Sequence, residues 1–501
     1  MQFPATLFQT LHYPQRCEKR LRLHAQGAMA AEPSAFDELL RELGKRHEER
    51  HRGQLENVID LSRVSPEARI ARTLDELRRR GGTLFQPLLS VERRIDGQDV
   101  VLVGSPDFMI PADGGWRIRD AKVARDIDKP GILAQLNLYG FLLEAMFGEP
   151  PLALEAYLES GEIATTVYEG GEAVLEQVSA VLQILVDERK YEPVGWSKCS
   201  ACGFRGDCWT AAERDRDVAL LPDVDQGLAR ELHAQRCRTI ADMYERFRDD
   251  DRQLADLRRL SGKAQRRVGT KAARILQHAQ SFLEDRPIWR NVPALPGSRN
   301  LVMFDLEGLP PQIDEVEKVF LWGLKVCGDR PTEFLTSCAF PGRTDDRAAW
   351  IGFLRIAERL FQEYGDIPFV HWASYEKTKI RMYVDRYGDP DGTGESVLGR
   401  LVDLLPIMKQ AVCLPLPSYS LKQVEKYVGF QRNVAGKGDW AIAMYIQACE
   451  TDAPLAAEAL IGEILQYNEE DLDATWAVYR WLQEHGLGRR SSPAESDSIE
   501  A

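Results

Sequence analysis

The chain has 501 residues, with 64 Lys and Arg against 78 Asp and Glu, a formal net charge of -14 and 44% hydrophobic residues. That length implies about three domains with ordinary globular cores. The acidic balance excludes a protein that coats duplex nucleic acid indiscriminately, and no apolar run reaches the ~20 residues that a membrane span needs. The opening MQFPATLFQTLHYPQR lacks a small-residue cleavage site, and nine cysteines without disulfide-like spacing suit a reducing compartment, so a cytoplasmic location is expected. Neither a phosphate-binding Walker loop nor a dinucleotide glycine fingerprint is present, so any helicase motor must be a separate partner protein.

In chain order, the first chemical signal is Cys17, followed by ELGKRHEERH, which puts His47 on a predicted helix as a possible metal ligand. A hairpin follows: VVLVGSPDFMI, then PADGGW, then RIRDAKVA. Asp107 is read as ending the first strand, and Asp120 and Lys122, two apart on the next, face one side of the pleat. Carboxylates on neighbouring strands can hold a divalent ion, while a lysine beside them orients or deprotonates water and stabilises charge on a phosphate. Gln135 and Tyr139 sit one turn apart on the apolar helix AQLNLYGFLLE. The run WSKCSACGFRGDCW then supplies Cys199, Cys202 and Cys208, which with Cys17 form a four-thiol set that either zinc or an iron-sulfur cluster would satisfy.

Beyond this, LARELHAQRCRTIADMYER has the shape of a helix-hairpin-helix unit without its turn glycines. The next hairpin, LRRLSGKAQRRVGTKAARI, carries Arg258, Arg259, Lys263, Arg266, Arg267, Lys271 and Arg274 without an acid. Such a segment suits a sugar-phosphate backbone, or is a solvated basic face. NLVMFDLEGLP then enters a second acidic pair, Asp305 and Glu307, at period two, and ILQYNEEDLDATWAVYRWL puts Tyr467 and Asp471 one turn apart on a helix. Cys237, Cys327, Cys338, Cys413 and Cys449 read as buried thiols.

Residues 1 to 210 resemble the RecB-type PD-(D/E)xK nucleases in their iron-sulfur branch, shared by AddB subunits and CRISPR adaptation exonucleases. Asp107 matches the first catalytic aspartate, Asp120-Ala121-Lys122 the D-x-K element, Gln135 with Tyr139 the Q-x3-Y helix, and His47 the metal-binding histidine. The resemblance implies that Asp107, Asp120, the Ala121 carbonyl and His47 hold Mg or Mn, and that the four cysteines hold a [4Fe-4S] cluster rather than zinc. The last domain resembles the tyrosine subtype of the ribonuclease H-like DEDD exonucleases, with Asp305, Glu307 and Asp471 as metal ligands and Tyr467 positioning water. Its second motif departs from the pattern: IPFVHWASYEKTKI has no aspartate, and Glu376, the nearest acid, either reaches a metal or lies solvated on the first turn of a helix. YEKTKI and SYSLKQVEKYVGF resemble the branch fused to RecB-like nucleases in two-nuclease proteins.

The expected fold class is α/β multidomain. It comprises a PD-(D/E)xK restriction-endonuclease-like domain over 1–212, a small helical, helix-hairpin-helix-like segment over 213–288 and a linker over 289–299. A ribonuclease H-like mixed-sheet domain over 300–488 and a disordered tail over 489–501 complete it. The expected function is a metal-dependent exonuclease acting on single-stranded DNA in repair, processing or defence. The alternatives are a ribonuclease, or a partly or wholly non-catalytic iron-sulfur scaffold for a helicase or defence complex.

Overall fold

The computed structural model describes residues 1–187, 190–262, 264–310, 317–340, 345–433 and 438–486, in two compact units, Met1–Thr210 and Ala211–Ala501. The expected tail over 489–501 and Lys263 lie outside the described residues. No helix among those described is long and apolar enough to cross a membrane.

The first unit is built on a six-stranded mixed sheet in the order Val58–Asp60, Thr83–Phe85, Phe108–Ala112, Gly115–Ala121, Ala153–Tyr157 and Ile163–Thr166. A second sheet of three strands places Gln98–Gly104 between Gln2–Pro4 and Leu89–Ile95. The parallel strands Gly115–Ala121 and Ala153–Tyr157 are joined through the helix Pro130–Phe147, which packs on strands of both sheets. A helix covered on both sides must be apolar around most of its circumference, which is why Leu136, Leu138, Leu142 and Leu143 all sit in the core. The run VVLVGSPDFMI, expected as one strand, is two strands in different sheets. It breaks at Ser105-Pro106-Asp107, where proline has no N–H to give a ladder. Asp107 therefore opens the second strand instead of ending the first.

The second unit contains a five-stranded sheet ordered Glu333–Cys338, Val319–Gly328, Asn300–Gly308, Phe369–His371 and Leu401–Asp403. Asn300–Gly308 is antiparallel to Val319–Gly328 and parallel to Phe369–His371, and the long helix Pro454–Gly486 packs across the first two. The segment expected as a linker runs against this fold: Ile288–Trp289 pairs with Val412–Cys413, Trp289 stacks on Trp481, and Tyr479 donates to the Pro296 carbonyl at 3.0 Å.

The helices Gln226–Ala234 and Ile240–Phe247 form the first expected hairpin of the middle segment. The second hairpin is not helical: Arg258–Ser261 and Ala264–Arg267 are antiparallel strands. Nor is it free of acids in space, since Arg259 bonds Asp225 at 2.7 Å, Arg267 lies 3.3 Å from Asp256, and Arg274 makes two 2.7 Å bonds to Asp223. Asp225 and Asp223 come from well outside the basic run, where local sequence does not reveal them, whereas Asp256 lies directly before it. Cys449 is exposed and Cys338 half-buried, against the expectation of buried thiols, whereas Cys237, Cys327 and Cys413 are buried.

Gly323, the register partner of Asp305, is required by a close approach: an added Cβ would lie 1.7 Å from Asn468 Oδ1. Asn468 is 0% exposed, so it has no free space into which to retreat. Gly323→Ala is expected to lower stability by about 1–3 kcal/mol, read as a reduced denaturant midpoint at unchanged m-value. An unchanged midpoint would show that the amide yields without cost.

Candidate active sites

In the first unit the break before Phe108 turns the Asp107 carboxylate back over the next strand. Its backbone N–H donates to Asp120 Oδ1 at 2.9 Å, and the Ala121 N–H donates to Asp107 Oδ2 at 2.8 Å, so the two strands fix each other's acid. Lys122 Nζ lies 2.9 Å from Asp120 Oδ2 and donates to Gln135 Oε1 at 3.2 Å, while Gln135 Nε2 donates to the Tyr139 hydroxyl at 2.7 Å. Asp107, Asp120, Lys122, Gln135 and Tyr139 thus form one connected set. Gly104 leaves room for it, because a Cβ there would be 2.6 Å from the Tyr139 ring.

Burial and then the Asp120 charge push the Asp107 carboxyl well above its usual range, only partly offset by Lys122. Burial pulls Lys122 down, but the Asp120 and Asp107 carboxylates outweigh it and hold the ammonium above its ordinary value. The ammonium is thereby tied to both acids of the site.

His47 is buried and stacked on Tyr157, and its Nε2 donates to the Tyr157 carbonyl at 2.9 Å. The helix Ala35–Arg52 instead brings Glu48 to the acids: Gln86 Nε2 donates to Glu48 Oε1 at 2.7 Å and to Asp107 Oδ1 at 2.9 Å. Neighbouring helical residues point about 100° apart, so His47 and Glu48 both turn inward but onto different partners, His47 onto Tyr157 and Glu48 towards the acids. Neither Glu48 nor Gln86 is expected from the sequence: the phase of its helix is the one local signal for Glu48, and Gln86, just past the strand Thr83–Phe85, has none.

Cys17, Cys199, Cys202 and Cys208 converge on one small pocket, with Lys19, Lys198 and Arg205 around it. Cys17 caps the helix Glu18–Ala25 and accepts from the Arg20 N–H at 3.4 Å. Burial, together with the neighbouring thiols, raises Cys199 and Cys208 above their ordinary values. Four sulfur donors lining one pocket are a set that a zinc ion or an iron-sulfur cluster would take.

In the second unit Asp305, Glu307 and Asp471 bring one oxygen each within 4.8 Å of one another. Asp305 and Glu307 project from the middle strand and Asp471 from the long helix, beside the buried ring of Tyr467. Arg432 holds both oxygens of Glu425 at 2.7 and 2.6 Å and bonds Asp471 as well. Lys422 stands 4.9 Å from the Tyr467 ring centroid. Glu376 is buried, not solvated, and its Oε2 accepts from His371 Nδ1 at 3.0 Å. The sequence alone does not point to Arg432, Lys422, Glu425 or Asn468, although Lys422 and Glu425 lie within SYSLKQVEKYVGF.

Residues 13–209 match the PD-(D/E)XK nuclease superfamily, and residues 302–483 match the RNase_H superfamily. The chain thus carries an N-terminal PD-(D/E)XK nuclease superfamily domain and a C-terminal RNase H-like domain, and nuclease domains act on nucleic acid. No curated protein matches it. Among solved structures it is similar to SSO0001, with 12% identity over 41% of this chain and 85% of that one, TM-score 0.22. It is also similar to a Eubacterium rectale protein provisionally described as an exonuclease, with 14% identity over 37% and 82%, TM-score 0.24. Likeness of that size bears on neither activity nor substrate.

Burial, and next Asp471, raise Glu307 from 4.5 to about 8. A carboxyl with a raised folded value adds stability that is complete below its unfolded value and is lost as pH rises through the folded one. Metal-free protein is therefore expected to lose more stability between pH 5 and 8.5 than its Glu307→Gln variant. Thermal unfolding across that range tests this, and parallel curves would show that Glu307 is not held protonated.

Proposed function

We propose that the chain is a metal-dependent nuclease with two hydrolytic sites, cleaving single-stranded DNA exonucleolytically in DNA processing or defence. The observation that carries this reading is the connected set of Asp107, Asp120, Lys122 and Gln135, in which two acids share one face with a fixed ammonium. Asp107 and Asp120 with the Ala121 carbonyl, and Asp305, Glu307 and Asp471, would each hold Mg or Mn, which would supply Lewis-acid charge to the phosphate and acidify a water. Lys122 then neutralises charge gathering on the phosphate, Gln135 and Tyr139 keep the ammonium in place, and Glu48 is a further acid for the ion. In the C-terminal site Tyr467 orients the attacking water.

The exposed Arg258, Arg266, Arg267 and Lys271 supply the backbone contacts. Arg259 and Arg274, tied to Asp225 and Asp223, hold that region together instead.

Lys122→Ala is expected to reduce metal-dependent cleavage at least ~10²-fold, and Asp305→Ala to remove a 3′-to-5′ component that survives it. End-labelled single-stranded and duplex DNA and RNA, with products sized on a gel, test both. Full activity in Lys122→Ala would reassign the first domain as a scaffold, and preferential digestion of RNA would make the protein a ribonuclease.

The four converging thiols support a [4Fe-4S] cluster that closes the first domain. Anaerobically purified protein is then expected to be brown with about four irons per chain. Cys202→Ala should lose the iron and destabilise residues 1–210 as a unit. Stoichiometric zinc without iron would overturn the assignment.

A further inference from the structure

The C-terminal carboxylates gather around a single point. Asp305, Glu307 and Asp471 form the one close acidic group among the described residues, and no fourth carboxylate joins it. A second ion beside the first needs oxygens of its own, and two contacts withhold them. Glu376, the acid nearest the missing aspartate, is committed to His371 inside the protein. Asp305 Oδ2, one of the two oxygens with which this carboxylate could reach two ions, accepts from Asn468 Nδ2 at 2.8 Å, and that amide is packed against Gly323.

Two side-chain cations, Arg432 and Lys422, stand beside these acids. Arg432 is anchored through two bonds to Glu425, so it remains in place when Asp471 turns to an ion. Its Nη1 is buried and finds no acceptor among the described residues, which leaves one donor for a ligand oxygen. Arg432 and Lys422 lie 5.6 and 4.9 Å from the Tyr467 ring centroid, beside the residue that orients water in the proposed reaction.

Resting on the reading of this triad as a metal centre, we propose that the C-terminal site takes one divalent ion, not two, and that Arg432 and Lys422 supply the remaining positive charge to the phosphate. The missing second-motif aspartate is then no defect, because the ion it would serve has been replaced by two side chains. Glu376 becomes a positioning residue that holds His371, not a ligand.

Counting Mn²⁺ bound to the full chain, by calorimetry and by the free-ion spin resonance signal, tests this without reference to activity. Asp305→Asn is expected to remove one ion per chain. Loss of two would overturn the single-ion site while leaving the metal-centre reading intact, and loss of none would overturn both. Asp471→Asn gives the same count if Asp305→Asn fails to fold. Arg432→Gln is expected to keep the ion count and to weaken the Asp305-dependent binding of thymidine 5′-monophosphate about tenfold, the loss of one charge-assisted bond. Unchanged nucleotide affinity, or an additional Mn²⁺ bound by this variant, would overturn the role given to the cations.

Discussion

Like charges buried on one face of a strand repel each other, and much of this protein is arranged to contain that repulsion. Asp107 and Asp120 are restrained by backbone donors, by Gln86 and by Lys122, while Asp305, Glu307 and Asp471 are restrained by Asn468 and Arg432. In each unit at least one acid comes from a sheet strand, Asp120 in the first and Asp305 with Glu307 in the second, where the pleat puts alternate residues together, while Asp107 stands at the strand break and Asp471 on a helix. In both, an amide side chain from another element holds one carboxylate oxygen of the leading aspartate. The folds differ, yet the electrostatic solution is the same: acids preset by amides, with cations within reach and room left for an ion.

The parts of these sites that depend on a short period were legible in the sequence. Asp120 with Lys122, Asp305 with Glu307, Gln135 with Tyr139, and Tyr467 with Asp471 each fall within one pleat or one helical turn. The 2.9 Å Lys122–Asp120 pair and the 2.7 Å Gln135–Tyr139 bond follow from that spacing. The cysteines were legible for another reason, since thiols in such a pattern have few uses besides a metal.

What escaped depends on long-range placement. The helix AFDELLRELGKRHEERHR has too few apolar residues near its end to fix its phase, so the sequence suggested His47 where Glu48 reaches the acids. Arg432 meets Asp471 across 39 residues. The acids that pair with Arg259 and Arg274 lie 34 and 51 residues from them. The strand break at Pro106 carried a local signal, proline, but a continuous apolar run concealed it.

The first helices and the 190–208 segment meet directly, through the Glu18–Lys190 ion pair at 2.9 Å, the Glu18 N–H on Glu192 at 3.0 Å, and Arg22 on the Lys190 carbonyl at 3.0 Å. Cys17 waits at that seam for thiols which the ribosome delivers only at the end of the domain. A chain halted before that segment can hold its opening residues through Gln98–Gly104 and the helix Pro130–Phe147, but it lacks the ion pairs of the seam and never presents the full set of sulfurs. The seam, unlike the sheets, can form only once the last stretch of the domain has been made.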